Sequence, residues 1–192
     1  MNNSIYITSI DVISTLNSTY EEFKNVLYSS EQNYLDLQKE QIDLSVIKKK
    51  YTKNVRRMNR ASVLAFISST QAFLQRELDK TNYNSYDIGT IYSVFSPSLD
   101  SRLSVLNTLY EKGIDLVSPI MFSSTVGNSC IAGVTIQYQL KGQSLMVKSS
   151  NALSYSSALL KLGKAEILLC GSYDVYIPEI LEYYKNQPFV CS

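Results

Sequence analysis

The chain has 192 residues, of which 45% are hydrophobic and 18% are charged, and its net charge is +1. This length supports one domain with a substantial core, and a charge so close to zero gives no electrostatic reason to expect a nucleic acid partner. No apolar run is long enough to span a membrane and the first residues lack a signal-peptide pattern, so we expect a cytoplasmic protein without a membrane partner.

In the first half of the chain, the pattern predicts a strand, two helices and a second strand. Residues 5–12 alternate and are rich in β-branched side chains, which predicts a strand. Ser18 and Glu21 have the spacing of a capping box, so a helix is expected from there to about Tyr28. Residues 29–60 are polar and charged, and we expect a loop with a short helix. A longer helix is predicted next, because apolar residues recur there at helical spacing: Val63, Ile67, Phe73, Leu74 and Leu78. A turn over 82–85 and a strand over 88–95 follow this helix.

In the second half, helices and strands alternate. Helices are predicted over 98–112, ended by Gly113, and over 128–140. A strand over 145–149 leads into a helix over 152–162 that is apolar on most sides, and such a helix is usually buried. A short apolar strand over 167–170 follows, and Pro178 is expected to begin a last helix. This alternation predicts an α/β fold, with a layered, mostly parallel sheet and flanking helices.

The cysteines predict neither a disulfide framework nor a metal site. Cys130, Cys170 and Cys191 match no metal-binding spacing. Cys130 and Cys170 lie in apolar stretches, so we expect both to be buried packing residues. The sequence also lacks a glycine-rich phosphate loop. It therefore gives no reason to expect a metal or any other cofactor.

Five segments, in this order and spacing, carry a resemblance to a known family. They are residues 5–14, Arg57-Met58-Asn59-Arg60, residues 118–122 with Asn128 further on, residues 141–152 and residues 163–174. Together they resemble the N-terminal half of β-ketoacyl synthases, the condensing enzymes of fatty-acid and polyketide assembly. The corresponding segments of that family are, in the same order, the opening strand, a short Arg-Met-Asp-Arg segment, the loop feeding the helix before the nucleophile strand, the nucleophile segment, and the next helix end and strand. The resemblance implies one domain over residues 1–192, with half of a thiolase-like fold.

Asn151 stands where the family has its reactive cysteine. A cysteine thiolate at a helix N-terminus can attack an acyl thioester, whereas an asparagine amide has no comparable nucleophilicity. The 192 residues contain no histidine, whereas the family's enzymes use two. Ser149 and Ser150 flank the position without a histidine base, and Lys148 is expected to point to the opposite face from Ser149. We therefore expect Asn151 to cap the helix and the chain not to be an enzyme by itself.

The resemblance implies a role beside an active enzyme. Chain-length factors of type II polyketide synthases resemble ketosynthases but lack the active cysteine. They pair with a catalytic subunit and shape the tunnel that holds the growing chain. A heterodimer with a catalytic ketosynthase of fatty-acid, polyketide or polyene biosynthesis is therefore expected. Two alternatives stay open: half of a split condensing enzyme that another chain completes, and a homodimeric acyl-binding module.

In the family, the strand before the nucleophile pairs with its counterpart across a dimer interface. The corresponding interface residues here are Leu145, Met146, Val147, Lys148 and Ser149. The resembling loop near that interface can limit acyl-chain length, and it gives the acyl-tunnel candidates Val126, Gly127 and Asn128. Proline at Val147 would remove a ladder donor and is expected to abolish pairing. Because only half of the family's fold is recognisable, the helix over 152–162 is expected to be partly uncovered.

A basic run precedes the second predicted helix. It consists of Lys48, Lys49, Lys50, Lys53, Arg56, Arg57 and Arg60. A solvated loop accounts for these residues and is the preferred interpretation. The alternative is a docking site for an acidic acyl carrier protein, whose association would be steered by charge.

Overall fold

A three-stranded parallel sheet forms the centre of the described structure. The computed structural model describes residues 4–14, 20–28, 55, 58–77, 83–148, 151–175 and 177–178. The strands are β1 (Ile88–Val94), β2 (Ser144–Lys148) and β3 (Ile167–Ser172), in the spatial order β2-β1-β3. Both neighbours run parallel to β1, so the carboxyl ends of the three strands lie at one edge. The predicted α/β fold with a parallel sheet is confirmed.

Six α-helices accompany the sheet in the described ranges. They are α1 (Tyr20–Tyr28), α2 (Arg60–Gln75), α3 (Leu99–Lys112), α4 (Pro119–Ser123), α5 (Ser129–Gln137) and α6 (Ala152–Lys161). A 3-10 helix (Ile114–Leu116) joins α3 to α4. Gly113 ends α3 as predicted, with a φ of 84° that favours glycine. The helices and strands predicted between residues 88 and 170 are all present, with ends that differ by a few residues.

Helix α2 and strand β1 hold the core together. The buried side chains of α2 include Val63, Phe66, Ile67 and Phe73. They cluster with the first residue of β1 and with residues of α5 and β3. Every residue of β1 is buried, as expected of a central parallel strand that is covered on both faces. Full burial of one such apolar side chain contributes about 1.5–3 kcal/mol.

Asn59 fixes the start of α2 against two other segments. Its Oδ1 accepts a hydrogen bond from the Ser62 N–H at 2.8 Å, which caps the helix. Its Nδ2 donates to Ser101 Oγ in α3 at 2.7 Å and to the Ser124 carbonyl, just after α4, at 3.4 Å. One side chain therefore ties α2 to the α3–α4 layer, by which we mean residues 99–123.

The prediction of a strand over residues 5–12 is wrong. Residues 4–13 join no ladder among the described residues, and Ser14 takes part in an isolated bridge. Ile5, Tyr6 and Ile7 are exposed. Alternation is a property of the local sequence, whereas a strand also needs a neighbour to accept and donate its backbone hydrogen bonds.

Other predictions fall on residues outside the described ranges. These include the capping residue Ser18, most of the loop over 29–60 with its basic run, Leu78, the start of the turn at 82, the interface residue Ser149 with Ser150, Cys191, and the helix expected after Pro178. The helix expected to end near Tyr28 is present, since α1 ends at that residue.

Tyr92 of β1 carries a hydroxyl into the core and makes the fold sensitive to high pH. The hydroxyl donates to Ser69 Oγ, which in turn donates to the Ala65 carbonyl at 2.6 Å. Burial raises the pKa of Tyr92 to about 12 from an ordinary value of 10.0, and the hydrogen bond to Ser69 opposes that rise. The buried neutral tyrosine therefore stabilises the fold fully below pH 10. That stabilisation, about 2–3 kcal/mol, is lost as the pH rises to 12.

Tyr92→Phe should remove this part of the pH dependence. The variant loses a hydrogen bond worth about 1 kcal/mol at neutral pH, but its stability should fall less steeply than that of the natural protein between pH 10 and 12. Urea midpoints at several pH values measure the difference. Tyr155→Phe, which changes an exposed hydroxyl on α6, is the matched control. An equally steep fall in Tyr92→Phe would contradict the assignment.

Candidate functional site

Asn151 lies where the sequence places it, between the end of β2 and the start of α6. It occupies the N-cap position, and its carbonyl accepts a hydrogen bond from the Tyr155 N–H at 3.2 Å. Within the described part of the chain, however, its carboxamide makes no capping hydrogen bond, and its φ of −117° and ψ of 30° are not those of a typical cap. Asn151 thus follows a strand and precedes a helix as expected, whereas the predicted capping bond is wrong. The side chain is exposed, which leaves it free to face a ligand or a partner.

Asp174 joins the carboxyl ends of β1 and β3. Its carboxylate accepts hydrogen bonds from the N–H groups of Phe95 at 2.9 Å and Ser96 at 3.3 Å, directly after β1. Charge-assisted bonds of this kind are stronger than neutral ones. The sequence places Asp174 near a strand end, but its partners are 79 and 78 residues away, and no local pattern identifies them.

The acyl-tunnel candidates lie in the loop before α5, in contact with the loop after β1. Ser98 Oγ donates to the Val126 carbonyl at 3.0 Å. A Cβ at Gly127 would lie 3.4 Å from Pro97 Cβ, so the two loops touch. The side chains of Val126 and Asn128 are exposed. The structure therefore brings the candidates to the same edge of the sheet as the end of β1.

Ser98 is a residue of this region that sequence reasoning missed. It is 1% exposed and adopts the left-handed conformation, with φ 53° and ψ 27°. That conformation costs a residue other than glycine roughly 1–2 kcal/mol, and it persists where surrounding contacts hold it. Its hydroxyl does not cap α3 but binds the Val126 carbonyl. A serine before a helix is ordinary, so the sequence carries no signal for this role.

Tyr173 connects the end of β3 to the edge strand. Its hydroxyl donates to Met146 Sδ at 3.9 Å, and its ring packs against a cluster that contains Cys130. Burial raises the pKa of Tyr173 and also that of the Cys170 thiol, so both stay protonated at neutral pH. Cys130 is buried as predicted, whereas Cys170 is half-buried and that prediction is wrong. Neither thiol is arranged as a nucleophile.

Strand β2 lies at an edge of the sheet that the described residues form. The register pairs Thr90 with Ser144, and the Thr90 N–H donates to the Gln143 carbonyl at 2.7 Å. In a parallel ladder, alternate residues direct their backbone groups to opposite sides of the strand. This one hydrogen bond therefore fixes which residues of β2 face β1 and which face away.

The outward-facing residues of β2 are those available to a partner. Leu145 and Val147 direct their N–H and C=O groups to β1, whereas Ser144, Met146 and Lys148 direct theirs away from it. Proline at Val147 would thus break the ladder inside the chain rather than the outer edge. A proline substitution at Met146, at the centre of the strand, is therefore the test of pairing through the outer edge.

Helix α6 is less buried than its apolar sequence predicts. It buries Ala152 and Ser156, while Leu153 is 67% and Tyr155 51% exposed. Leu162, directly after the helix, is 69% exposed. The prediction that the helix is buried is wrong. The expectation that it is partly uncovered is confirmed.

Large exposed apolar side chains also recur along the α3–α4 layer and at Val126. They are Leu106, Tyr110, Ile114, Leu116, Ile120, Phe122 and Val126. Neither the 3-10 helix nor α4 has a buried residue, and α3 buries only Ser101. Large exposed apolar surfaces usually mark interaction sites.

The described residues contain neither a metal cluster nor a spanning segment. Among them, no three His, Cys, Asp or Glu side chains are grouped so that they could hold a metal ion. None of the helices in the described ranges has the length and hydropathy needed to cross a lipid bilayer.

Comparison with protein families identifies the chain. The family model of the β-ketoacyl synthase N-terminal domain matches residues 7–184. The chain belongs to this family. The predicted resemblance to this family is confirmed. A comparison with curated protein sequences finds no match.

Solved structures of the family share the fold. The ishigamide ketosynthase/chain length factor matches with a TM-score of 0.63 and 18% identity, over 76% of this chain and 43% of that chain. A type II polyketide synthase acyl-carrier protein in complex with its ketosynthase matches with a TM-score of 0.69 and 16% identity, over 88% of this chain and 50% of that chain. A ketosynthase in complex with its chain length factor from Xenorhabdus doucetiae matches with a TM-score of 0.64 and 18% identity, over 93% of this chain and 71% of that chain. The chain spans about half the length of the first two.

Proposed function

We propose that the protein is a non-catalytic, chain-length-factor-like subunit. In this proposal it pairs with a catalytic β-ketoacyl synthase of fatty-acid or polyketide and polyene biosynthesis and helps to shape the acyl-chain tunnel. The observation that carries the proposal is Asn151, a carboxamide at the N-cap after β2 in 192 residues without a histidine. Condensation needs a thiolate and groups that exchange protons, and this arrangement offers neither.

Two surfaces support pairing as the role. Strand β2 directs the backbone groups of Ser144, Met146 and Lys148 away from its own sheet, and natural proteins usually cover an edge of this kind. Helix α6, the next described helix after β2, exposes Leu153, and Leu162 directly after the helix is exposed as well. A ketosynthase is the proposed partner because two structures that share this fold are described as a ketosynthase with a chain length factor.

The loop before α5 is the proposed contact with the acyl chain. Val126, Gly127 and Asn128 lie beside the loop after β1, and the apolar side chain of Val126 is 51% exposed. An apolar wall suits the hydrocarbon of an acyl group. Docking of an acyl carrier protein and a cytoplasmic location belong to the same proposal.

Purification from native cells tests the proposed pairing. The tagged full chain should recover a full-length ketosynthase, and light scattering of the recovered complex should give the mass of a heterodimer. A stable monomer that recovers no ketosynthase would contradict the proposal. A homodimer that binds acyl groups would favour the acyl-binding module, and a partner that supplies only a histidine-bearing second half would favour the split enzyme.

Asn151 should remain unmodified by acyl donors. After incubation of the purified chain with acyl-CoA or acyl-loaded carrier protein, intact-mass spectrometry should find no acyl adduct within residues 148–152, because a carboxamide does not attack a thioester. Asn151→Cys supplies a thiol at the same position, and it should still give no condensation because no histidine accompanies it. A stoichiometric adduct on the natural chain, or condensation by the variant alone, would refute the non-catalytic assignment.

A further inference from the structure

The loop after β1 is fixed at both of its ends. At the first end, the Asp174 carboxylate holds the N–H groups of Phe95 and Ser96. At the other end, Ser98 is buried in the left-handed conformation and donates its hydroxyl to the Val126 carbonyl. A residue that keeps an unfavourable backbone conformation in a buried site is held there by its contacts. The loop is therefore a rigid link between the sheet and residue 126.

The Val126 carbonyl is the point where this link meets α5. It accepts the Ser98 hydroxyl at 3.0 Å and also the Ser129 N–H at 3.1 Å, in the first turn of α5. Next to it, Gly127 lies against Pro97. Two hydrogen bonds and one packing contact thus hold the chain where it enters α5. The Ser98 hydroxyl and Pro97 both come from the loop after β1, and Arg102 Nε of α3 donates to the neighbouring Thr125 carbonyl at 3.2 Å.

We propose that Ser98 is a positioning residue that sets the place of Val126 and Gly127, and through them the upper length of the acyl chain that the pair produces. This inference rests on the proposed function. Ser98 is itself 1% exposed, so it does not touch the acyl chain. It acts through the carbonyl of an exposed apolar residue.

Ser98→Gly tests the link without adding strain. Glycine adopts the left-handed conformation readily, so the variant should fold, but it lacks the hydroxyl. Hydrogen exchange of the Ser129 amide should become about five- to tenfold faster, the effect of losing roughly 1 kcal/mol of local stabilisation. Ser118→Ala is the matched control, since Ser118 accepts a hydrogen bond from the Met121 N–H at the start of α4. Unchanged exchange at Ser129 in Ser98→Gly would overturn the proposal.

Product length tests the functional part. The recovered pair of this chain and its ketosynthase is supplied with malonyl-loaded acyl carrier protein, and products are sized by mass spectrometry. Ser98→Gly should lengthen the longest product by at least one two-carbon unit while turnover stays within about twofold. Asp174→Ala, which frees the other end of the loop, should act in the same direction, and Ser118→Ala should leave the lengths unchanged.

The outcomes separate the two proposals. If the natural pair is active and Ser98→Gly and Asp174→Ala both give the natural product lengths, the role of Ser98 is refuted and the proposed function stands. If the natural chain pairs with no ketosynthase, the proposed function fails and the inference fails with it.

Discussion

Proline at Met146 should abolish pairing with the ketosynthase while the fold survives. The register directs the Met146 N–H away from β1, so proline there removes a donor on the outer edge of the described sheet, where a partner strand would pair. We expect at least a tenfold loss of affinity, equivalent to about 1.4 kcal/mol. Light scattering and binding of the purified ketosynthase measure this loss, and thermal unfolding checks the fold.

Two further variants separate the backbone effect from other causes. Met146→Leu keeps the N–H but removes the sulfur that Tyr173 contacts, and it should pair almost normally. Val147→Pro breaks the ladder to β1 and leaves a buried carbonyl of Tyr92 unpaired, which should cost about 1–3 kcal/mol of folding stability. If Met146→Pro pairs as tightly as the natural chain, β2 is not the interface.

Asn59→Ala should destabilise the domain by about 2–4 kcal/mol. The change removes the cap of α2, worth about 1 kcal/mol. It also leaves the buried hydroxyl of Ser101 without its donor, at a further cost of about 1–3 kcal/mol. For a chain of this length the melting temperature should fall by about 5–15 °C. Calorimetry of the purified protein measures the change.

Asn84 and aspartate provide the controls for Asn59. Asn84→Ala removes an exposed side chain that accepts the Tyr86 N–H at 3.1 Å, and it should cost less than about 1 kcal/mol. Asn59→Asp keeps an acceptor for the Ser62 N–H and can accept a hydrogen bond from Ser101, so its loss should be intermediate. Equal losses for Asn59→Ala and Asn84→Ala would show that Asn59 does not join the segments energetically.

The sequence predicts the elements whose signals are local. Apolar periodicity identifies α2 through Val63 and Ile67, and Gly113 marks the end of α3. The apolar run of β3 and the position of Asn151 after β2 also follow from neighbouring residues. Each of these features depends on side chains within one or two turns, so a single sequence is enough to find them.

The sequence does not predict what depends on distant partners. Residues 5–12 have a strand pattern, but the described structure gives them no ladder. Helix α6 has a core-like composition, yet Leu153 is exposed because no described element covers that face. The roles of Ser98 and Asp174 come from contacts 28 and 79 residues away. Tertiary neighbours decide these cases, and one sequence carries no direct record of them.

The two strands that flank β1 in the sheet are both synthesised long after it. Thr90 bonds through its side chain to Ser144, 54 residues further on, and the amide after β1 reaches Asp174 after 79 residues. Synthesis at about 5–20 residues per second separates β1 from β3 by about 4–16 s. During that interval β1 lacks β3, and for most of it also β2, and strands that pair over such separations close slowly. Slower translation before residue 167 therefore lengthens the time in which the unpaired edge of β1 is open to aggregation.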